Sequence, residues 1–115
     1  MFSFQGLDVY KKASQFHIDC KKLIADYKPD KYVAYQLERA SYSIPLNIAE
    51  GSGKFSKPDR KNYYTTARAS AFECAAILQI LCAGKIITES EFTILNDLCE
   101  EVSRMLFKMI TNLQV

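Results

Sequence analysis

Apolar residues recur along this chain at three- and four-residue steps, the spacing that lines one face of an α-helix. The first stripe is Leu7, Tyr10, Ala13, Phe16, Cys20, Leu23 and Tyr27. Asp8 falls in its first turn, where a negative charge suits the helix N-terminus, and Lys28-Pro29 ends it, since the residue before proline avoids helical geometry. Lys11, Lys12, Lys21 and Lys22 occupy the remaining, water-facing arc. A second stripe, Val33, Leu37, Ala40, Ile44 and Ile48, opens on Asp30 as N-cap. It should bend at Pro45, which lacks the amide to bond Ser41, and close at Gly51 in a left-handed conformation.

The third stripe is Tyr63, Ala67, Ser70, Cys74, Ile77 and Leu81, with Ser56 as N-cap, Pro58 and Asp59 in the first turn, and Gly84 at the end. Thr88 and Glu91 form a capping-box pattern before the fourth stripe, Phe92, Leu95, Leu98, Val102, Met105, Met109 and Leu113. No stretch alternates with period two long enough to make a strand. The pattern predicts an all-α protein: an antiparallel up-and-down bundle of four helices of roughly 20–28 residues, one domain over 1–115. The third helix departs from simple amphipathicity. Phe72, Ala75, Ala76 and Ile80 lie off its stripe, so its second half is apolar nearly all round, and a second copy of the chain is expected to cover it.

Composition adds little to this picture: 49% hydrophobic and 24% charged residues in a 115-residue chain describe an ordinary folded domain. Apolar runs such as 74–78 are too short to span a bilayer, and Gln5 and Asp8 break any resemblance of the N-terminus to a secretory signal. Cys20, Cys74, Cys82 and Cys99 form no Cys-x-x-Cys pair and read as small core hydrophobes in a reducing compartment. A cytoplasmic protein with no membrane partner is expected.

The net charge of +2 does not mark a nucleic-acid binder, but its distribution is uneven. Residues 54–84 carry Lys54, Lys57, Arg60, Lys61 and Arg68 against Asp59 and Glu73. Acids outnumber bases in residues 85–115, where Glu89, Glu91, Asp97, Glu100 and Glu101 read as a solvated face. On the third helix Lys57, Lys61, Tyr64 and Arg68 fall on one stripe with Arg60 beside it, a pattern suited to phosphates and an unstacked base.

No reaction chemistry declares itself. Gly51-Ser52-Gly53-Lys54 resembles part of a phosphate-binding loop, but Ile48 stands where the first glycine belongs, Phe55 replaces Ser or Thr, and a helix precedes it. His17, the one histidine, has no metal-ligating neighbours and reads as a surface or half-buried side chain. Gln36, Arg39, Ser43, Asn47 and Glu50 share one polar arc of the second helix. Glu50 sits where the helix dipole disfavours a carboxylate, so it is expected to pair with Arg39, Arg68 or the first amides of the third helix. No catalytic set, metal site or cofactor is expected.

The stretch Gln36-Leu37-Glu38-Arg39-Ala40-Ser41-Tyr42-Ser43-Ile44-Pro45-Leu46-Asn47-Ile48-Ala49-Glu50-Gly51-Ser52-Gly53-Lys54 resembles a family of four-helix bundle proteins encoded in intervening sequences of bacterial large-subunit ribosomal RNA genes. Phe4 through Val9 resembles that family's opening, and Ser70 and Glu73 keep its later Ser and Glu positions. Arg39, Ser43, Pro45, Asn47, Glu50, Gly51, Gly53, Ser70 and Glu73 are thereby marked as a structural motif. Three positions depart: Leu46 replaces a small residue, Arg60 an aromatic and Ala69 a glycine. The resemblance implies a homopentameric ring and supplies no reaction. A related group, the accessory proteins of diversity-generating retroelements, resembles the same bundle and binds a reverse transcriptase and nucleic acid through basic surface. The expectation is a non-enzymatic oligomer that binds RNA or a nucleic-acid-processing protein. The alternative is a protein-binding adaptor without nucleic-acid affinity.

Overall fold

The computed structural model describes residues 1–114. A 3-10 turn (Ser3–Gly6) leads into helix α1 (Asp8–Tyr27), followed by α2 (Lys31–Ser52), α3 (Lys57–Ala83) and α4 (Glu89–Asn112). Each helix packs on its neighbours in sequence, and α4 closes back onto α1. Cross-helix bonds fix an antiparallel register. On α1 and α2, His17 meets Ser41 and Lys21 meets Glu38; on α2 and α3, Arg39 meets Glu73, Ser43 meets Ser70 and Ser52 meets Tyr64. The protein is thus an all-α four-helix bundle, 44 × 25 × 22 Å, whose long axis matches a 27-residue α3 rising about 1.5 Å per residue.

The helix starts follow the sequence reading. Asp30 accepts from the amides of Tyr32 and Val33 at 2.9 and 3.0 Å, Ser56 from Asp59, and Thr88 from Glu91. The 3-10 turn has no counterpart in the apolar pattern; Phe2 N–H donates to Gln5 Oε1 at 2.7 Å, and Phe4 then packs edge-on against Tyr10. The α2 helix runs unbroken through Pro45, which is buried.

The helix ends differ from expectation. Gly51 is helical, α2 continues to Ser52, and Gly53 caps it in right-handed geometry. What requires glycine at 51 is proximity: a Cβ there would lie 2.8 Å from Tyr64 Cε1 and 2.9 Å from Tyr63 Cβ. Gly84 also has a negative φ, and the left-handed positions belong to Lys28 (φ 48°), Lys85 (φ 59°) and Gln114 (φ 54°). At the second of these, the Ile86 N–H reaches back to the Leu81 carbonyl, which places Ile87 in the core.

The core is built from Phe16, Leu23, Leu37, Ile44, Ile48, Leu78, Leu95, Val102 and Leu106, with Cys20, Cys74 and Cys99 among them. On α3 the buried line is Tyr64, Ala67, Ala71, Cys74, Leu78 and Leu81. It lies beside the predicted stripe, whose Tyr63 and Ile77 are only half-buried. Taken whole, α3 is long and apolar enough to cross a membrane by length and composition, a property it shares with core helices of bundles. Phe72 and Ile80 stay exposed on its outer side, as the all-round apolar character of its second half requires.

Candidate nucleic-acid interface

Ser56 and Pro58 start α3 abruptly after the short turn that follows Gly53, so the basic residues gather around one end of the bundle. Lys57 is exposed, and Lys54, Arg60 and Lys61 are partly exposed. Arg60 Nε donates to the Lys54 carbonyl at 2.7 Å, which ties the turn to α3 and leaves the outer guanidinium nitrogens to reach an anion. Lys54 Nζ lies 5.1 Å from the Tyr63 ring centroid. Among the described residues none of these four cations forms an ion pair. Phe55 stands at the centre of the turn, fully exposed.

Two residues of the predicted stripe are elsewhere. Tyr64 is 5% exposed, and its hydroxyl bonds Ser52 Oγ at 3.0 Å, so its ring is not available to a base. Rotation of the true core line by one position draws it inward. Arg68 is stacked against Phe72 and Phe107 at 4.7 and 5.3 Å, well along the α3–α4 face. The fully exposed Phe55 supplies the aromatic instead. Its signal in the sequence is an apolar residue in a turn flanked by Lys54 and Lys57, outside any helical stripe.

The motif residues form a polar seam between α2 and α3. Arg39 bridges Glu73 at 2.5 Å, Ser43 Oγ meets Ser70 Oγ at 2.9 Å, and Asn47 Nδ2 donates to the Ser43 carbonyl and hydroxyl. Each of these polar side chains therefore has a partner. Glu50 has none. It is exposed, and among the described residues its carboxylate pairs with neither Arg39, Arg68 nor the start of α3, because Glu73 holds Arg39 and Arg68 lies on another face. The resemblance to a phosphate loop also fails in three dimensions. Gly51 and Ser52 are helical, and the amides of Gly53 and Lys54 are spent on the carbonyls of Glu50 and Gly51.

Beyond these residues the chemistry is quiet. Among the described residues no group of three metal-ligating side chains comes together. Burial pushes the Cys20 and Cys74 thiols far up and Cys99 up to about 12, so all three stay protonated and unreactive. Ser41 Oγ donates to the Glu38 carbonyl at 3.1 Å and shares a 2.8 Å hydrogen bond with His17 Nδ1. Burial, reinforced by Lys21 and opposed by Glu38, lowers the His17 pKa.

Fold and seam together define a four-helix bundle with exposed basic side chains gathered at one end. The chain belongs to the 23S rRNA-intervening sequence protein family, whose model matches residues 5–108. No curated protein matches it. Among solved structures it is similar to a protein of unknown function from the S23 ribosomal protein family of Bacteroides thetaiotaomicron. The TM-score is 0.83 at 24% identity, over 89% of this chain and 97% of that one. That likeness speaks for the fold.

Proposed function

We propose that this is a non-enzymatic, self-associating cytoplasmic protein that binds single-stranded RNA at the α2–α3 turn. The observation that carries the reading is the grouping of Lys54, Lys57, Arg60 and Lys61, none ion-paired among the described residues, around the fully exposed Phe55. Cations hold phosphates by displacing counterions, and an exposed ring gives a base a surface to stack on. The apolar outer side of α3 supports assembly, which would repeat the turn several times on one particle. The family's description, which ties its members to intervening sequences of 23S rRNA, makes RNA the polyanion to try first.

The test is retention of single-stranded RNA by purified protein across a salt series. Four phosphates per site give a slope of roughly −3 in log affinity against log salt, or about 50-fold between 50 and 200 mM. A Lys54→Glu, Lys57→Glu, Lys61→Glu variant should lose retention with its fold intact. Equal retention by this variant and the parent protein defeats the reading.

A second reading, a protein-binding adaptor, is favoured by a different surface. Tyr32, Tyr35, Tyr42 and Leu46 are exposed at helical spacing along the outer side of α2. It predicts no salt-dependent RNA affinity, and loss of the partner on Tyr35→Ser and Tyr42→Ser substitution.

A further inference from the structure

Arg68 is the most anomalous cation in the molecule. Its guanidinium carbon lies 4.7 Å from the Phe72 ring centroid and 5.3 Å from that of Phe107, so aromatic rings flank the group. Its Nε is buried without a hydrogen-bond partner, and among the described residues the side chain makes no ion pair. The guanidinium borders an open groove of about 490 Å³, walled by Thr65, Ala69, Phe72, Phe107 and Ile110. Phe72 and Phe107 remain 56% and 54% exposed. A cation positioned by rings, with a buried Nε that has no acceptor and no carboxylate in reach among the described residues, is half of a charge-assisted pair.

The chain carries the other half on a different face. Glu50 is an exposed carboxylate without a partner among the described residues, in the last turn of α2 where the helix carbonyls disfavour it. It borders an open groove shaped by Phe2, Phe4, Ala49 and Gly53, and Lys54, on the same rim, does not reach it within ion-pair distance. Each site thus sets an unpaired charge beside apolar side chains, a guanidinium in one and a carboxylate in the other, with Lys54 also on the rim of the second. Within one copy they cannot meet, because Arg68 lies on the α3–α4 face and Glu50 beside the N-terminal turn.

We infer that the Glu50 carboxylate of one copy enters the Phe72–Arg68–Phe107 cradle of the next, joining copies head to tail. Two different patches make the contact, so it is heterologous, and its repetition yields a closed ring or a filament according to the rotation between copies. The apolar walls favour a protein occupant over a phosphodiester, since Phe2 and Phe4 cover the rings as the carboxylate reaches the guanidinium. This deepens the self-association part of the proposed function by naming the contact, and of the residues assigned to RNA only Lys54 borders it.

The experiment measures native mass by sedimentation velocity, with far-UV circular dichroism and RNA retention on the same samples. Glu50→Arg and Arg68→Glu should each weaken association by about tenfold or more, the scale of a lost charge-assisted pair, and the double swap Glu50→Arg/Arg68→Glu should recover most of it. Arg68→Met and Glu50→Gln, which preserve size, should weaken association as well and guard against loss of fold. Three results overturn the inference: a monomeric parent protein at every concentration, single variants that assemble like the parent, or a folded double swap no better than either single. Lost RNA retention in Arg68→Glu with unchanged mass overturns it too, and assigns the guanidinium to phosphate. Absence of RNA retention by the assembled parent protein defeats the RNA reading alone.

Discussion

Gly51 shows how one residue can be read correctly as indispensable and wrongly as to why. A glycine after a helical stripe signals a left-handed cap, yet here it is a contact surface for the Tyr63–Tyr64 side chains. Gly51→Ala should therefore lower stability by about 1–3 kcal/mol, the usual cost of overpacking, and shift the melting temperature down by several degrees. Gly53→Ala is the control. Its nearest neighbour would be the Glu50 carbonyl at 3.5 Å, an ordinary contact, so thermal melts should place that variant within about 0.5 kcal/mol of the parent. Tyr64 departs from its expected place for a related reason. Lys57, Lys61, Tyr64 and Arg68 fit one helical stripe, but Tyr64, Ala67, Ala71, Cys74, Leu78 and Leu81 fit another equally well. A helix with apolar residues on most sides does not reveal which line faces inward.

At the scale of elements, all four helices, their order and the N-caps of α2, α3 and α4 are legible in the sequence, because hydrophobic period and capping chemistry are local. The α2–α3 seam is legible only by half. The polar arc Arg39, Ser43, Asn47 can be seen on α2, but not that Ser70 and Glu73 of another helix answer it. Arg39 and Glu73 are each about two-fifths exposed, so their pair contributes within about 0–1 kcal/mol and orients more than it stabilises. The α1–α2 seam has a pH dependence. The His17 pKa falls below its ordinary 6.5 in the fold, so the unfolded chain binds the extra proton first. Its contribution is present above pH 6.5 and is lost as pH drops through the lowered value. Melting temperatures should fall more steeply between about pH 7 and 5 for the parent than for His17→Gln, which removes the titration. Parallel curves would assign the effect to other groups.

The whole molecule exposes 7037 Å², against about 6,400 Å² expected for a compact monomer of its mass. The surplus follows from the elongated 44 × 25 × 22 Å shape, and Phe72, Ile80 and Tyr32 lie exposed on it. If association is linked to folding, the melting temperature should rise by about 4 °C per tenfold increase in protein concentration, and a concentration-independent melt would count against assembly. The order in which helices pack also sets a timetable. Because α1, α2 and α3 each touch the helix next in sequence, most contacts are short-range and the bundle should fold within microseconds to milliseconds. The closure of α4 onto α1 alone must wait for the end of the chain. A nascent chain halted before Glu89 has an Ala71 carbonyl without Cys99, a Lys12 without Glu101, and one wall of its interior open. Interrupted synthesis would therefore hand chaperones and proteases a three-helix fragment, recognisable by the apolar flank that only the last helix covers.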